Sequence, residues 1–556
     1  KALDLINYRG PDKEGKFICE LNNKKKLFFG HKRLEILDIK SGVQPMISQD
    51  KNLVILFNGE IYNHKELRDT IKSLGYNFIS SHSDTEVILA GYKIWGTNIV
   101  NKLNGMWSFS IFDKIKNILF LSRDRVGEKP LYYSHDSKGF SFSSEYGPLI
   151  SMFPDKFKIN QLNIAKYNCL GFFPKDKTPF NGMYQLPAGN NLVYKINQNT
   201  IQIQKFWEFK IEPDYSKSEN FWIENLRFLI ERSVKNRLVA DTEVGIFLSG
   251  GIDSTIISHY ATQNSSKKIK SFSVNFDQKD FDESQYSDEV SKKYHTDHFK
   301  KIIKVSDMLE YFEEYFKVSN DLISDSSLIS YYKLCKSAKN KVKVVLGGDG
   351  SDELFAGYDT FKAIKYLEWL NKTHLNKSLP LICKLINLFP SNHKNMNFKF
   401  KTESFLKYNS NKISTANPLW ISPLTLNQTN QILDKNFKLE EIYEEIIDEW
   451  DKNTTNNNLD KTLIFYFKFF LQSQMMVKVD RLSMLNSLEV RSPFLDYDII
   501  DLVSNIPFNL KLKGNTTKYI LKKTFENIIP KNIVHRKKQG LSSPLSKTIM
   551  KSDFKL

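Results

Sequence analysis

The stretch "FLSGGIDST" (247–255) joins an apolar, strand-like run to a helical one through two adjacent glycines. Gly250 and Gly251 let backbone amides approach phosphate oxygens, and the free N–H groups at the start of the following helix favour an anion. Ser249 and Ser254 add hydroxyl donors, and Asp253 adds a carboxylate suited to Mg²⁺ on a polyphosphate. A lone Gly-Gly is usually an ordinary turn. The whole string, with strand and helix in register, points to phosphate binding, yet it lacks the lysine of the common nucleotide loop. A second acidic loop, "LGGDGSDELFAGY" (346–358), follows another apolar strand and carries Asp349, Asp352 and Glu353. It falls at the end of the sheet where open α/β folds bind ligands.

These loops need a parallel sheet to position them. "TEVGIFL", "KIKSFSVNF" and "KVKVVL" read as strands with helices between, which implies a parallel sheet covered on both faces. Residues 1–205 read differently, as short apolar strands punctuated by Gly, Asn, Asp and Pro. Helices are expected at "HKELRDTIKSLG" and "SDTEVILAGYKIW", the latter opening on Ser83 with Glu86 three residues on, the spacing of a capping box. The polar run "KIEPDYSKSEN" (210–220) reads as a linker. Residues 370–465 are expected to form a helical insertion with a disordered tract at 452–461.

At 556 residues the chain is too long for one core, and 41% hydrophobic content excludes general disorder. The net charge of +17 comes from Lys spread along the whole chain, with no basic stripe and no nucleic-acid-binding signature. No apolar run is long enough to span a membrane, and no signal-peptide pattern opens the sequence, so a cytoplasmic protein is expected. The four cysteines, Cys19, Cys169, Cys335 and Cys383, form no CxxC pair.

The loop resembles that of the ATP pyrophosphatases, which break the α–β bond of ATP and adenylate a substrate. Holding the departing pyrophosphate is a task that does not use the missing lysine. The loop alone fits GMP, NAD, argininosuccinate and asparagine synthesis or tRNA modification. Together with "VKVDRLSMLNSLEVRSPFLD" (477–496) and "TKYILKKTF … IPKNIVHRKKQGLSSPL" (517–545), it resembles the synthetase domain of glutamine-hydrolysing asparagine synthetases. Independently, "NYRGPDKEG", "HKRLEILD … QPM", "FNGEIYNH", "SHSDTE" and "RDRVGEKPLYY" resemble, in order, the class II glutamine amidotransferase domain. The resemblance covers the chain outside roughly 370–465.

The resemblance implies an α+β N-terminal-nucleophile sandwich over 1–207, a linker at 208–220, and an α/β parallel-sheet ATP-pyrophosphatase domain with a largely helical C-terminal part over 221–556. Glutamine would meet Arg33 with its carboxylate, Glu60 and Asp84 with its ammonium, and Asn58 and the Gly59 amide with its oxyanion. Ammonia released there would travel through an internal tunnel. ATP would lie with its adenine near Leu248 and Val274 and its phosphates on 249–254, bordered by Gly347 and Gly348. Asp253 and Asp352 would bind Mg²⁺, while Lys518 stabilises charge on the α-phosphate and Asp349 serves adenylation or proton handling. The partners implied are glutamine, aspartate and ATP, with no nucleic acid and no membrane; the family commonly forms homodimers.

The chain departs from the family in three places. The family's nucleophile is an N-terminal cysteine, but residue one is Lys1, and Cys19 lies inside an expected strand as a packed structural thiol. Its end is also abrupt, so the chain reads as clipped at both ends from a longer enzyme, the alternative being a synthetase fed by free ammonia. Asp349 stands where the well-studied bacterial enzymes carry Glu, which resembles a branch associated with envelope polysaccharide genes and leaves the acceptor open between aspartate, a sugar acid and a peptide. A lactam-forming synthetase and a non-catalytic scaffold fit less well, because both sets of pocket residues are retained.

Overall fold

The computed structural model describes residues 1–21, 26–278, 282–319, 321–373, 405, 412–455 and 457–536. β1 (Lys13–Glu20) and β2 (Lys26–Arg33) pair as an antiparallel hairpin, and Cys19 sits in β1, partly buried against Leu27 and its neighbours. Next come the short β3 (Met46–Ile47) and the long β4 (Leu53–Ile61), then α1 (His64–Ser73) and α2 (Asp84–Trp95). β5 (Gly105–Asp113) and β6 (Ile118–Arg123) return across the sheet. β7 (Tyr132–Asp136), β8 (Gly139–Ser143) and β9 (Tyr184–Gln185) form a separate small sheet. β10 (Asn190–Lys195) and β11 (Thr200–Lys205) complete a six-stranded antiparallel sheet in the order β11-β10-β6-β5-β4-β3.

This sheet is covered on both faces. Leu53, Ile55 and Phe57 pack with the α1 and α2 side chains, while Val54 and Leu56 pack with Leu27 and Phe29 of β2. A strand sandwiched in this way loses the apolar-polar alternation of a half-exposed one, which is why "LVILF" reads as a continuous run. Ser83 does precede α2, but its side chain makes no capping bond. Glu86 instead accepts the amides of Ile79 and Ser80 at 2.9 and 2.7 Å, so the expected capping box is replaced by a bond to the incoming loop.

Two helices, α3 (Tyr146–Met152) and α4 (Gln161–Leu170), precede the crossing into the second half. Residues 206–218 form neither helix nor strand, yet they are tied down. The amides of Glu212 and Asp214 donate to Ser504 and Asn505 carbonyls, and Phe209 stacks on Phe467 with centroids 4.0 Å apart. The polar run therefore ends earlier than expected, because Ser218 caps α5 (Glu219–Arg237) by accepting the Phe221 amide.

β12 (Val244–Phe247), α6 (Ile252–Asn264), β13 (Lys270–Phe276), α7 (Ser284–Lys293) and β14 (Asp297–Ile303) then alternate. After α8 (Met308–Val318) and α9 (Leu328–Ala338), β15 (Val344–Leu346) enters on the other side of β12. β16 (Glu489–Arg491), far along the chain, closes the edge. All pairs are parallel and the order is β14-β13-β12-β15-β16.

In the C-terminal part the helices Ile413–Ile421, Leu426–Leu433 and Leu439–Lys452 bear out the helical character expected of the insertion; residues 374–404 and 406–411 lie outside the described residues. The tract expected to be disordered at 452–461 is overturned in its second part, where a helix runs Asn458–Phe465. Asn457 caps it, and its apolar face is carried into the core by Leu463, Ile464 and Phe465.

The two halves meet through buried ion pairs. Arg9 holds Asp480 through both terminal nitrogens at 2.8 and 2.9 Å and Glu145 at 2.9 Å. Arg481 reaches Glu145 at 3.4 Å, and Arg491 reaches Glu60 at 3.0 Å. Much of the segment 477–496 is thus seam rather than pocket.

Candidate active sites

The strand order reverses at β12 and β15, which leave in opposite directions from the middle of the sheet. A crevice opens outside their carboxyl ends, and both glycine loops lie there. Gly250 has φ +68°, and a Cβ on it would fall 2.5 Å from Cβ of Tyr286 and 2.6 Å from the Ser287 amide nitrogen, so only glycine fits. Gly251 is the N-cap of α6; its amide donates to Oγ of Ser249 at 3.3 Å, and the Ser249 and Ser254 hydroxyls are 3.1 Å apart. Leu248 is buried beside Val290 and Ile533, and Val274 lies on the adjacent β13. Gly347 extends the ladder by donating to the Arg491 carbonyl at 2.9 Å, and a Cβ on Gly348 would press on Asp253 at 3.0 Å.

Lys518 reaches into this crevice from a distant part of the chain. Its ammonium lies 2.8 Å from both Asp253 oxygens, 2.8 Å from Oδ1 of Asp352 and 3.2 Å from the Ser351 hydroxyl. Burial works against this charge, but Asp253 and Asp352 outweigh it and hold the lysine above its ordinary pKa. Lys518 is also left-handed at φ +52°, a backbone cost that the surrounding contacts must offset. A Cβ on Gly357 would lie 2.0 Å from Oδ1 of Asp352 and 2.5 Å from Cε of Lys518, so this glycine is demanded by the cluster. The two carboxylates converge on one cationic point, a donor pair suited to Mg²⁺ with phosphate oxygens and water completing the shell. Among the described residues there is no group of three or more His, Cys, Asp or Glu side chains that could hold a metal. Asp349 lies deeper in the same loop, where burial raises its pKa against the pull of Lys478.

A second site occupies the N-terminal half, a cavity of about 910 Å³ lined by Arg33, Asn58, Gly59, Glu60 and Asp84. All five come from loops and strand ends around β2, β4 and α2. Nδ2 of Asn58 is buried with no protein partner. Gly59 has φ +150°, and a Cβ there would lie 2.0 Å from the Met106 carbonyl. Asp84 accepts the Ile61 amide at 3.1 Å, yet burial raises its pKa to about 6. Burial also raises Glu60, against the opposing pull of Arg491, whose Nη2 donates to Glu60 at 3.0 Å. Arg33 spends both terminal nitrogens on the Leu37, Asp38 and Ile39 carbonyls and on Glu35, so it shapes the loop as well as charging the wall.

The asparagine synthase family model matches residues 225–555, and the glutamine amidotransferase domain model matches residues 1–207. The chain belongs to the asparagine synthase family. It is 30% identical over 553 residues to asparagine synthetase [glutamine-hydrolyzing] 1 of Bacillus subtilis, covering 97% of this chain and 83% of that protein. A putative asparagine synthetase [glutamine-hydrolyzing] 2 of Methanocaldococcus jannaschii is 32% identical over 514 residues, 87% of this chain and 94% of the other. A putative asparagine synthetase [glutamine-hydrolyzing] of Mycobacterium tuberculosis H37Rv is 28% identical over 562 residues, 98% and 84%.

In this asparagine synthase family member the crevice gathers Ser249, Gly250, Gly251, Asp253, Ser254, Gly347, Gly348, Asp349, Asp352 and Lys518, and the cavity gathers Arg33, Asn58, Gly59, Glu60 and Asp84. Several site residues escaped sequence reasoning. Ser351 bridges Asp253 and Lys518. Arg536 donates to the Gly250 carbonyl at 3.0 Å and pairs with Glu283, clamping the loop from outside. Its neighbours in "HRKKQGLSSPL" from 537 onward lie outside the described residues. No described helix is long and apolar enough to cross a membrane.

Proposed function

We propose that this protein transfers ammonia from glutamine to a carboxylate activated by ATP, with aspartate as the acceptor and asparagine, AMP and pyrophosphate as products. The observation that carries the reading is Lys518, charged and buried, held by Asp253 and Asp352 beside a phosphate loop that has no lysine of its own. A loop of that kind grips the β- and γ-phosphates through amides and hydroxyls and lets them leave together. Lys518 then meets the charge that builds on the α-phosphate as the acceptor carboxylate attacks. Asp253 and Asp352 are the residues that would hold Mg²⁺, which supplies charge neutralisation on the departing phosphates.

In the other cavity, Glu60 and Asp84 take the ammonium of glutamine, Arg33 its carboxylate, and Asn58 with the Gly59 amide the oxyanion. Asp349 in place of glutamate favours a second reading in which the acceptor is a sugar acid or a peptide. Incubating the full-length protein with ATP, glutamine and each acceptor, and following AMP, pyrophosphate and amide product, separates the readings. Domain limits of 1–207 and 221–556, a tunnel between the sites and a homodimer belong to the same proposal.

The Asp84 carboxyl gives a pH test. Its pKa of about 6 means that it is ionised, and able to pair with an ammonium, only above that pH. The kcat/KM for glutamine is expected to fall about tenfold per unit as pH drops below 6, because this parameter reports the free enzyme. Asp84→Asn should abolish that inflection along with most of the activity.

A further inference from the structure

The wall of the glutamine cavity is shared between the two halves of the chain. Glu489, the first residue of β16, lines it together with Asn58, Glu60 and Asp84. Arg491, two residues on and therefore on the same face of the strand, is fully buried beside it. Its Nε donates to Oε1 of Glu489 at 2.8 Å and its Nη2 to Oε2 of Glu60 at 3.0 Å. Its Nη1 is taken by the Arg237 and Val239 carbonyls at 3.0 and 2.7 Å. One guanidinium thus faces two carboxylates, and Asp84 is a third. The second Glu489 oxygen has Lys129 at 4.0 Å, beyond hydrogen-bond reach.

Arg9 also serves two carboxylates, in the seam between the halves; the Arg491 cluster differs in that both of its carboxylates, Glu60 and Glu489, line the cavity. Here the acidic groups gather on the cavity wall, and Glu489 repels both Glu60 and Asp84, adding to the effect of their burial. Such a cluster is relieved by an entering cation. We propose that Glu489 recognises the α-ammonium of glutamine, so that the ATP-binding half supplies part of the glutamine site. The inference rests on the glutamine-hydrolysing reading above and goes further in assigning a recognition residue to β16. Arg491 holds Glu60 and Glu489 on this wall, and its carbonyl also receives the Gly347 amide of the ATP-side loop. The ammonium subsite and the LGGDG loop are therefore anchored on a single residue.

The test is glutamine hydrolysis by the full-length protein and by its Glu489→Gln and Glu489→Asp variants, with thermal midpoints measured for all three. Glu489→Gln keeps the shape and removes the charge. It should raise KM for glutamine about tenfold, the loss of one charge-assisted contact, with kcat within about threefold. Glu489→Asp, which keeps the charge, should recover a large part of that loss. A merely structural role would lower kcat and the midpoint together and would leave no split between KM and kcat. Wild-type protein that hydrolyses glutamine while Glu489→Gln keeps its KM, or loses only kcat, overturns this inference alone. A Glu489→Asp variant no better than Glu489→Gln does the same. Wild-type protein that hydrolyses no glutamine overturns the parent reading and this inference together.

Discussion

Lys518→Ala is expected to lower ATP-dependent AMP formation by about 10²–10³-fold or more while glutamine hydrolysis continues, because the charge facing the α-phosphate disappears. The effect on folding should be much smaller. Removing the lysine takes one cation away from Asp253 and Asp352, but these side chains are 20% and 19% exposed, so water screens them. The stability cost should fall below the ~3–5 kcal/mol of breaking a fully buried pair. Lys518→Arg should not rescue activity, because Cε is already wedged against Gly357 and the wider guanidinium has no room. AMP release followed by chromatography, with thermal unfolding as the control, checks both statements. A Lys518→Ala enzyme that still forms AMP at the wild-type rate removes Lys518 from the chemistry.

The second large effect concerns Asn58. Its side-chain amide nitrogen is buried on the cavity wall and bonds to no protein atom, so deleting it breaks no bond in the fold. Asn58→Ala should therefore unfold within about 0.5 kcal/mol of wild type, because the amide it removes lines a cavity and holds no protein partner. Glutamine hydrolysis should nevertheless drop by about 10²–10³-fold in kcat with little change in KM, the signature of a donor that acts only on the oxyanion. Equal losses in stability and activity would instead make Asn58 a packing residue.

What could be read from the residues was the part of the site in which strand, loop and helix are consecutive. β12, Gly250, Gly251 and α6 are contiguous, so local patterning placed them, and β15 with its acidic loop followed the same rule. β14 carries no strand signal because the exposed Lys300 and Lys301 interrupt its apolar pattern, and β16 because two of its three residues are charged. Their place is set by partners far away: Glu489 and Arg491 are buried only because Glu60, Arg237 and Val239 come to meet them. The same holds for Lys518, a basic-helix residue until the fold brings Asp253 and Asp352 around it. Glu86 looked like half of a capping box and became a clasp for the Ile79–Ser80 loop, a choice made by tertiary contact over local preference. The family resemblance implies roles that patterning cannot, and the fold brings the residues named for them together.

The central claim is that ATP is cut between its α- and β-phosphates at the Ser249–Ser254 loop to activate a carboxylate. Phosphorus NMR of the full-length protein turning over ATP with glutamine and aspartate tests it most directly. The account predicts AMP and pyrophosphate in equal amounts, matched by asparagine when aspartate is the acceptor. Formation of ADP and orthophosphate in their place would contradict it.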